Sequence, residues 1–214
     1  MTSDAALASP SPWTDPLPLF PLQAVLFPQG HLHLTVQEPR LIRLLTDAQR
    51  SQQPVGIICL RRGWNGSPQG ERIELEDVGT LAQVRSIEVV APDHVKAHCV
   101  GGQRFRYHRV ARNAQSLWQA YDVQTLADDP VLKPRECFKD AMIALARTVA
   151  GLDIRHPGQF PPEDRRFTEL GWVANRWSEL LPIPLAARQE LMALTDPVSR
   201  LEIINTFLRQ KKLI

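Results

Sequence analysis

The residues of this 214-residue chain that have the types to do chemistry are few and scattered. Six histidines stand at positions 31, 33, 94, 98, 108 and 156. His31 and His33 are two apart, which on a strand puts both on one face, and His94 and His98 have the spacing of two ligands on a helix. A metal site needs three or four donors, however, and neither pair has cysteine or carboxylate partners at supporting spacing. No metal and no other cofactor is therefore expected. Glu71, Glu74, Glu76 and Asp77 are carboxylates of the kind that pair for acid–base work. Alternating acids beside a turn-rich segment read instead as a solvated edge, because catalysis also needs a pocket that perturbs their pKa. Cys59, Cys99 and Cys137 lack reactive sequence surroundings, and there is no Gly-x-Ser-x-Gly elbow. Gly101-Gly102 leads into a strand-like segment where a nucleotide-binding loop would require a helix, and no Gly-x-x-x-x-Gly-Lys-Ser/Thr run is present. The chain reads as one that is not an enzyme.

What remains is the chemistry of recognition. Between His94 and Tyr121 stand Lys96, Arg104, Arg106, Arg109 and Arg112 with no acid among them, so one strand pair presents a positive face. With Tyr107 and His108 interleaved, that stretch supports RNA binding as the runner-up function. A net charge of +2 does not by itself indicate a nucleic-acid or membrane partner. Arg61, Arg62 and Trp64 open a segment, Arg61 to Arg72, holding Gly63, Asn65-Gly66, Ser67-Pro68 and Gly70. That concentration of turn formers predicts a long loop carrying one large aromatic. Glu38 and Arg40 flank Pro39 at a predicted helix start, where Glu38 also favours the helix dipole.

The elements that must position these residues fall into two regimes meeting near residue 130. Residues 1–16 read as a disordered leader without the basic start and apolar centre of a secretory signal. Leu17 to Leu22 and Leu32 to Val36 predict short strands, and Pro39 to about Gln52 a helix whose apolar side is Leu41, Ile42, Leu44, Leu45 and Ala48. Val55 to Leu60 is a short, continuous, β-branched run, hence a buried strand. Strands follow over Val78 to about Val90, around Val95, Ala97 and Cys99, and over Trp118 to Leu126, with a bulge or bend permitted at Gly101-Gly102. From Pro134 the period becomes helical. Phe138, Ala141, Leu145 and Val149 share a face until Gly151, and a segment from Glu163 aligns Leu170, Ala174, Trp177 and Leu181. Pro182-Ile183-Pro184 interrupts it, and Asp196-Pro197 caps a last helix with Leu201, Ile204 and Leu208 on one side. Three widely spaced cysteines among apolar neighbours predict buried free thiols and a cytoplasmic location. No run approaches the roughly 20 apolar residues of a membrane span.

The order of several motifs resembles the Lon amino-terminal, substrate-recognition domain family. The opening Leu17-Pro18-Leu19-Phe20-Pro21-Leu22, Phe27-Pro28 and Glu38-Pro39-Arg40 are followed by Gly56 in an apolar strand, Val78-Gly79-Thr80, and Gly101 or Gly102 with Arg104-Phe105. Leu181-Pro182, Arg188-Gln189, Asp196-Pro197 and Arg200-Leu201 complete the series, from about Leu17 to Leu208. This chain departs from related sequences at Gln29, His33, Gln37 and Leu41, where a glycine, a proline and aromatics are common. The resemblance implies an α+β fold: a PUA-like pseudo β-barrel over 17–130 followed by an α-helical bundle over 131–214. It also implies a stand-alone, non-catalytic module without the ATPase and protease of Lon, binding unfolded or exposed peptide segments and working with a separate ATPase or protease. The expected contacts are Glu38, Arg40, Arg61, Arg62 and Trp64. A small-molecule pocket or a hydrolase site between the two parts is a third reading.

Overall fold

Strand alternation and helical phase place most of the core where the sequence directs it. The computed structural model describes residues 16–62, 73–155 and 158–214. Its elements are β1 (Leu17–Leu22), β2 (His31–Val36), α1 (Pro39–Ser51), β3 (Val55–Arg62), β4 (Glu74–Leu75), β5 (Val78–Ala91), β6 (His94–Arg106), β7 (Arg109–Arg112), β8 (Trp118–Tyr121), β9 (Gln124–Thr125), α2 (Lys139–Arg155), α3 (Leu170–Leu180), α4 (Leu185–Ala193) and α5 (Pro197–Gln210). The strands make one mixed sheet in the order β2-β6-β5-β3-β1-β8-β7, with β4 on β3 and β9 on β6. Among the described residues only β1 and β3 pair in parallel. β2 and β7 end the path without pairing to each other, so among the described residues the sheet does not close by hydrogen bonding. The fold is α+β.

The central strands are covered on both faces, which is why β3 reads as an unbroken apolar run. Val55 and Ile57 join one cluster with α1 residues Leu41, Leu44, Leu45 and Ala48, while Ile58 and Leu60 join Leu17, Leu19 and Phe105 on the other face. Gly79 is held small by this packing, since a Cβ there would lie 2.5 Å from Ile57 O. The third cluster belongs to α2–α5, and Phe27 and Val78 of the sheet half pack into it. At the head of α5, Asp196 accepts hydrogen bonds from Val198 N (3.2 Å) and Ser199 N (3.0 Å), as its N-cap position before Pro197 requires.

Several expectations are corrected. Arg61 and Arg62 continue β3 and do not open a loop, because β4 pairs alongside, Leu60 with Leu75 and Arg62 with Glu74. Gly151 does not end α2, which runs on to Arg155. The predicted helix from Glu163 begins only at Leu170, residues Pro162–Asp164 forming a separate 3-10 turn. Trp118 to Leu126 is two short strands, not one. Cys59 and Cys99 are buried, and burial pushes both thiols up to about 11, but Cys137 is exposed. The leader and the segment holding Trp64 lie outside the described residues. Among the described residues no helix is long and apolar enough to cross a membrane.

Candidate functional site

Helix α4 carries two recessed surfaces because its sequence supplies two different stripes. Ala186, Gln189, Glu190 and Ala193, spaced at helical turns, face a cavity of about 460 Å³ that Arg61 of β3, Arg106 of β6 and Glu76 and Asp77 between β4 and β5 complete. On the other side, Pro184, Ala187, Leu191 and Leu194 face a groove of about 430 Å³ closed by Ile203, Ile204 and Phe207 of α5. Glu190 borders both and is the single charged residue of the apolar groove. Ile203 is 54% exposed and continues the apolar surface of the groove out to solvent.

Buried hydrogen bonds fix α4 in place. Gln189 is buried and donates to Val78 O at 2.8 Å, tying the helix to β5. Arg104 reaches from β6 to Leu194 O (2.8 Å) and Met192 O (3.3 Å) at the end of α4, and also to Asp129 Oδ1 (2.8 Å). Arg188 donates to Ser178 O and Leu181 O, closing the end of α3. The groove is thus mounted on a rigid support.

The residues expected from sequence separate in space. Arg61 is in the charged cavity, half exposed, and donates to both Glu76 oxygens at 3.3 and 3.0 Å. Glu38 and Arg40 lie at the start of α1, ion-paired with each other, and Arg40 Nη1 donates to Ser116 O at 2.8 Å in the β7–β8 turn. They do not line the cavity that holds Arg61. Arg62 is the last residue of β3, and Trp64 is outside the described residues. The positive face loses Arg104, which is 2% exposed and committed to the interior, while Arg109 and Arg112 stay exposed. Tyr107 is partly buried too, donating to Glu76 O, and burial pushes its hydroxyl up to about 12. Sequence reasoning missed Ile203 and Phe207. The signal was present: they form an i, i+4 apolar pair adjoining the Leu201, Ile204, Leu208 stripe.

His31, His33 and His98 come together; among the described residues no group of three or more His, Cys, Asp or Glu is arranged to hold a metal ion. His33 and His98 stack with centroids 4.5 Å apart and planes 3° from parallel. His31 Nδ1 lies 2.9 Å from His98 Nε2, and His31 Nε2 lies 3.1 Å from Asp164 Oδ2. Burial lowers both His31 and His98 below the usual 6.5, helped by neighbouring cations and opposed by Asp164. Their stabilising contribution is therefore present above pH 6.5 and is lost as pH falls through the lowered folded values. Glu179 on α3 acts in the opposite sense. Burial pushes its carboxyl from 4.5 to about 7 against the pull of Arg176, so its contribution is complete below 4.5 and is lost as pH rises through about 7. We expect the urea midpoint of Glu179→Gln to fall more steeply than wild type between about pH 7.5 and about pH 5.5. In His31→Gln/His98→Gln it should instead rise over that interval. Equal pH dependence in all three proteins would refute this assignment.

Residues 16–210 match the family model described as the ATP-dependent protease La (LON) substrate-binding domain. Lon protease of Anaeromyxobacter dehalogenans is 25% identical over 200 residues, covering 92% of this chain and 23% of that protein. Lon protease 2 of Sorangium cellulosum is 30% identical over 164 residues, 70% of this chain and 20% of that one. The chain thus spans about a quarter or less of the length of these curated relatives. Among solved structures, a Lon N-terminal domain protein from Xanthomonas campestris superposes with a TM-score of 0.68 at 25% identity, covering 88% of this chain and 95% of that chain. The N-terminal domain of Mycobacterium avium complex Lon protease, at 14% identity and a TM-score of 0.58, shares the fold.

Proposed function

This chain belongs to the ATP-dependent protease La (LON) substrate-binding domain family, and on that basis we propose that it is a non-catalytic recognition module for exposed apolar segments of other proteins. The observation that carries this reading is the apolar groove between α4 and α5, with Ile203 exposed at its lip and Glu190 at its border. An unfolded segment would lay its apolar side chains against Ala187, Leu191, Ile203 and Phe207, with polar flanking residues reaching the charged cavity beyond α4. Of the contacts expected from sequence, Arg61 lines the charged cavity on the far side of α4, where it would meet those flanking residues. Glu38 and Arg40 would serve only a contact made at the start of α1. Family resemblance further supports a PUA-like pseudo-barrel over 17–130 and a helical bundle over 131–214 as the two working parts. Any unfolding or cleavage of a bound client would fall to a separate ATPase or protease in the cytoplasm.

Binding of fluorescein-labelled casein, a chain that lacks a fixed fold, tests this reading. Ile203→Glu places a charge where apolar contact is required and removes a side chain worth about 1.5–3 kcal/mol when buried, so affinity should fall by about tenfold or more. Ile203→Leu should bind like wild type. If Ile203→Glu binds casein unchanged, the groove is not the recognition surface.

A further inference from the structure

The basic hairpin β7–β8 offers a second surface that shares no residue with the groove at α4. β7 closes one end of the sheet, and among the described residues its only strand partner is β8. Register fixes which backbone groups point outward. Asn113 N donates to Leu117 O at 2.9 Å, and the following partners are Arg112 with Trp118, Ala111 with Gln119, Val110 with Ala120 and Arg109 with Tyr121. Hydrogen-bonded and non-bonded pairs alternate along an antiparallel ladder. Val110 and Arg112 therefore direct their N–H and C=O away from β8, toward the open side.

The side chains along this edge carry one sign of charge. Arg109 stacks with its guanidinium carbon 4.2 Å from the Tyr121 ring centroid, and Arg112 stacks 4.6 Å from that of Trp118. Among the described residues neither guanidinium has a carboxylate or hydrogen-bond partner, and residues 109–121 contain no acid; Asp122 is the first, at the far end of the hairpin. The ring under each guanidinium limits its motion without using its N–H groups as hydrogen-bond donors. Arginines on an edge repel a second copy of the same edge, as protected edges do. The same charge attracts an acidic strand.

We propose that the open edge of β7 accepts an extended acidic peptide segment by strand addition. Arg109 and Arg112 are three residues apart, about 10 Å along a strand, and so lie on opposite faces of the sheet. The matching segment carries two carboxylates three residues apart, each meeting its arginine across the strands, while its backbone bonds to Val110 and Arg112.

The probe is a labelled eight-residue peptide with two glutamates three apart among valines and threonines, titrated against the full chain by fluorescence anisotropy. It should bind, and more weakly as salt is raised, while the same peptide with lysines in place of the glutamates should not. N-methylation of every backbone amide in the peptide should cost about tenfold or more, as should Arg109→Glu/Arg112→Glu in the protein. Val110→Pro should do the same, because it removes only an outward N–H and leaves the β8 ladder intact. Undiminished casein binding by these variants shows that they fold and that the α4 groove is a separate matter. Loss of casein binding by Ile203→Glu tests that groove alone. The proposal is overturned if the N-methylated peptide binds like its parent, or if Val110→Pro folds and binds unchanged. It is equally overturned if single-stranded RNA displaces the peptide and binds tighter with a steep salt slope, which would make the face a nucleic-acid site.

Discussion

Replacing Asp129 with alanine is expected to destabilise the fold by about 3–5 kcal/mol, the range for a buried charge cluster that loses its counter-ion. Asp129 receives Arg104 at 2.8 Å and Arg200 at 2.6 and 3.3 Å, and both arginine side chains are essentially inaccessible to solvent. Burial depresses Arg104, Asp129 pulls it back toward the charged form, and Arg200 pushes it down again. Two guanidiniums would remain in the interior with backbone carbonyls and Asn175 Oδ1 as acceptors, with no carboxylate bonded to them and only the exposed Asp128 acting on Arg104 from a distance. Urea denaturation of Asp129→Ala checks this. A loss below about 1 kcal/mol would mean that water reaches the cluster and screens it. Asp129→Asn should lie between, since it keeps an acceptor but not the charge. These bonds anchor the end of α4, so a destabilised cluster should also weaken casein binding without any change in the groove.

Arg176→Met has the next largest expected effect, also about 3–5 kcal/mol near neutral pH. From α3, Arg176 donates to Gln29 O (2.6 Å), Pro28 O (2.9 Å) and Glu179 Oε1 (3.0 Å), clamping the turn between β1 and β2. The turn is tight at this point. Gly30 has no room for a Cβ beside Glu179 and Phe27 O. Without the guanidinium, Glu179 keeps its burial but loses the cation that lowers its pKa, so the folded value rises further above 4.5. Raised folded pKa means stability lost with rising pH, and wild type stops losing it once pH passes about 7, so the deficit of Arg176→Met relative to wild type should grow as pH rises above about 7. Arg176→Met/Glu179→Leu should recover part of the loss and flatten that dependence. A deficit independent of pH would assign the whole effect to the two orphaned carbonyls.

Both predictions concern residues whose importance no local pattern announces. Arg104 sits in the stretch Gln103 to His108, where alternation of charge and ring reads as a half-exposed strand. It is buried because its partners come from residues 127–129 and from the end of α4, as many as 90 positions away. Arg200 looks like an ordinary polar position on α5, yet it meets Asp129 across 71 residues. Arg61 shows the same limit at the candidate site. Its place in a strand depends on β4 lying alongside, whereas its sequence neighbours are turn formers. By contrast, the phase of α1, the alternation of Val95, Ala97 and Cys99, and the Asp196 cap were legible, and each is a matter of periodicity or of backbone chemistry within a few residues.

By itself the sequence determined most of the strands and helices, though not all of their ends, the apolar face of α1, α2 and α5, and the order of motifs shared with the Lon substrate-binding domain. These follow from side-chain period and from proline and glycine geometry, which act over one or two turns of chain. The tertiary structure alone decided which charges go inside, which exposed apolar residues border a groove, and which strand is left with an open edge. Those outcomes depend on groups brought together from distant parts of the chain, because desolvation makes a buried arginine tolerable only where a carboxylate and carbonyls from other elements arrive to meet it.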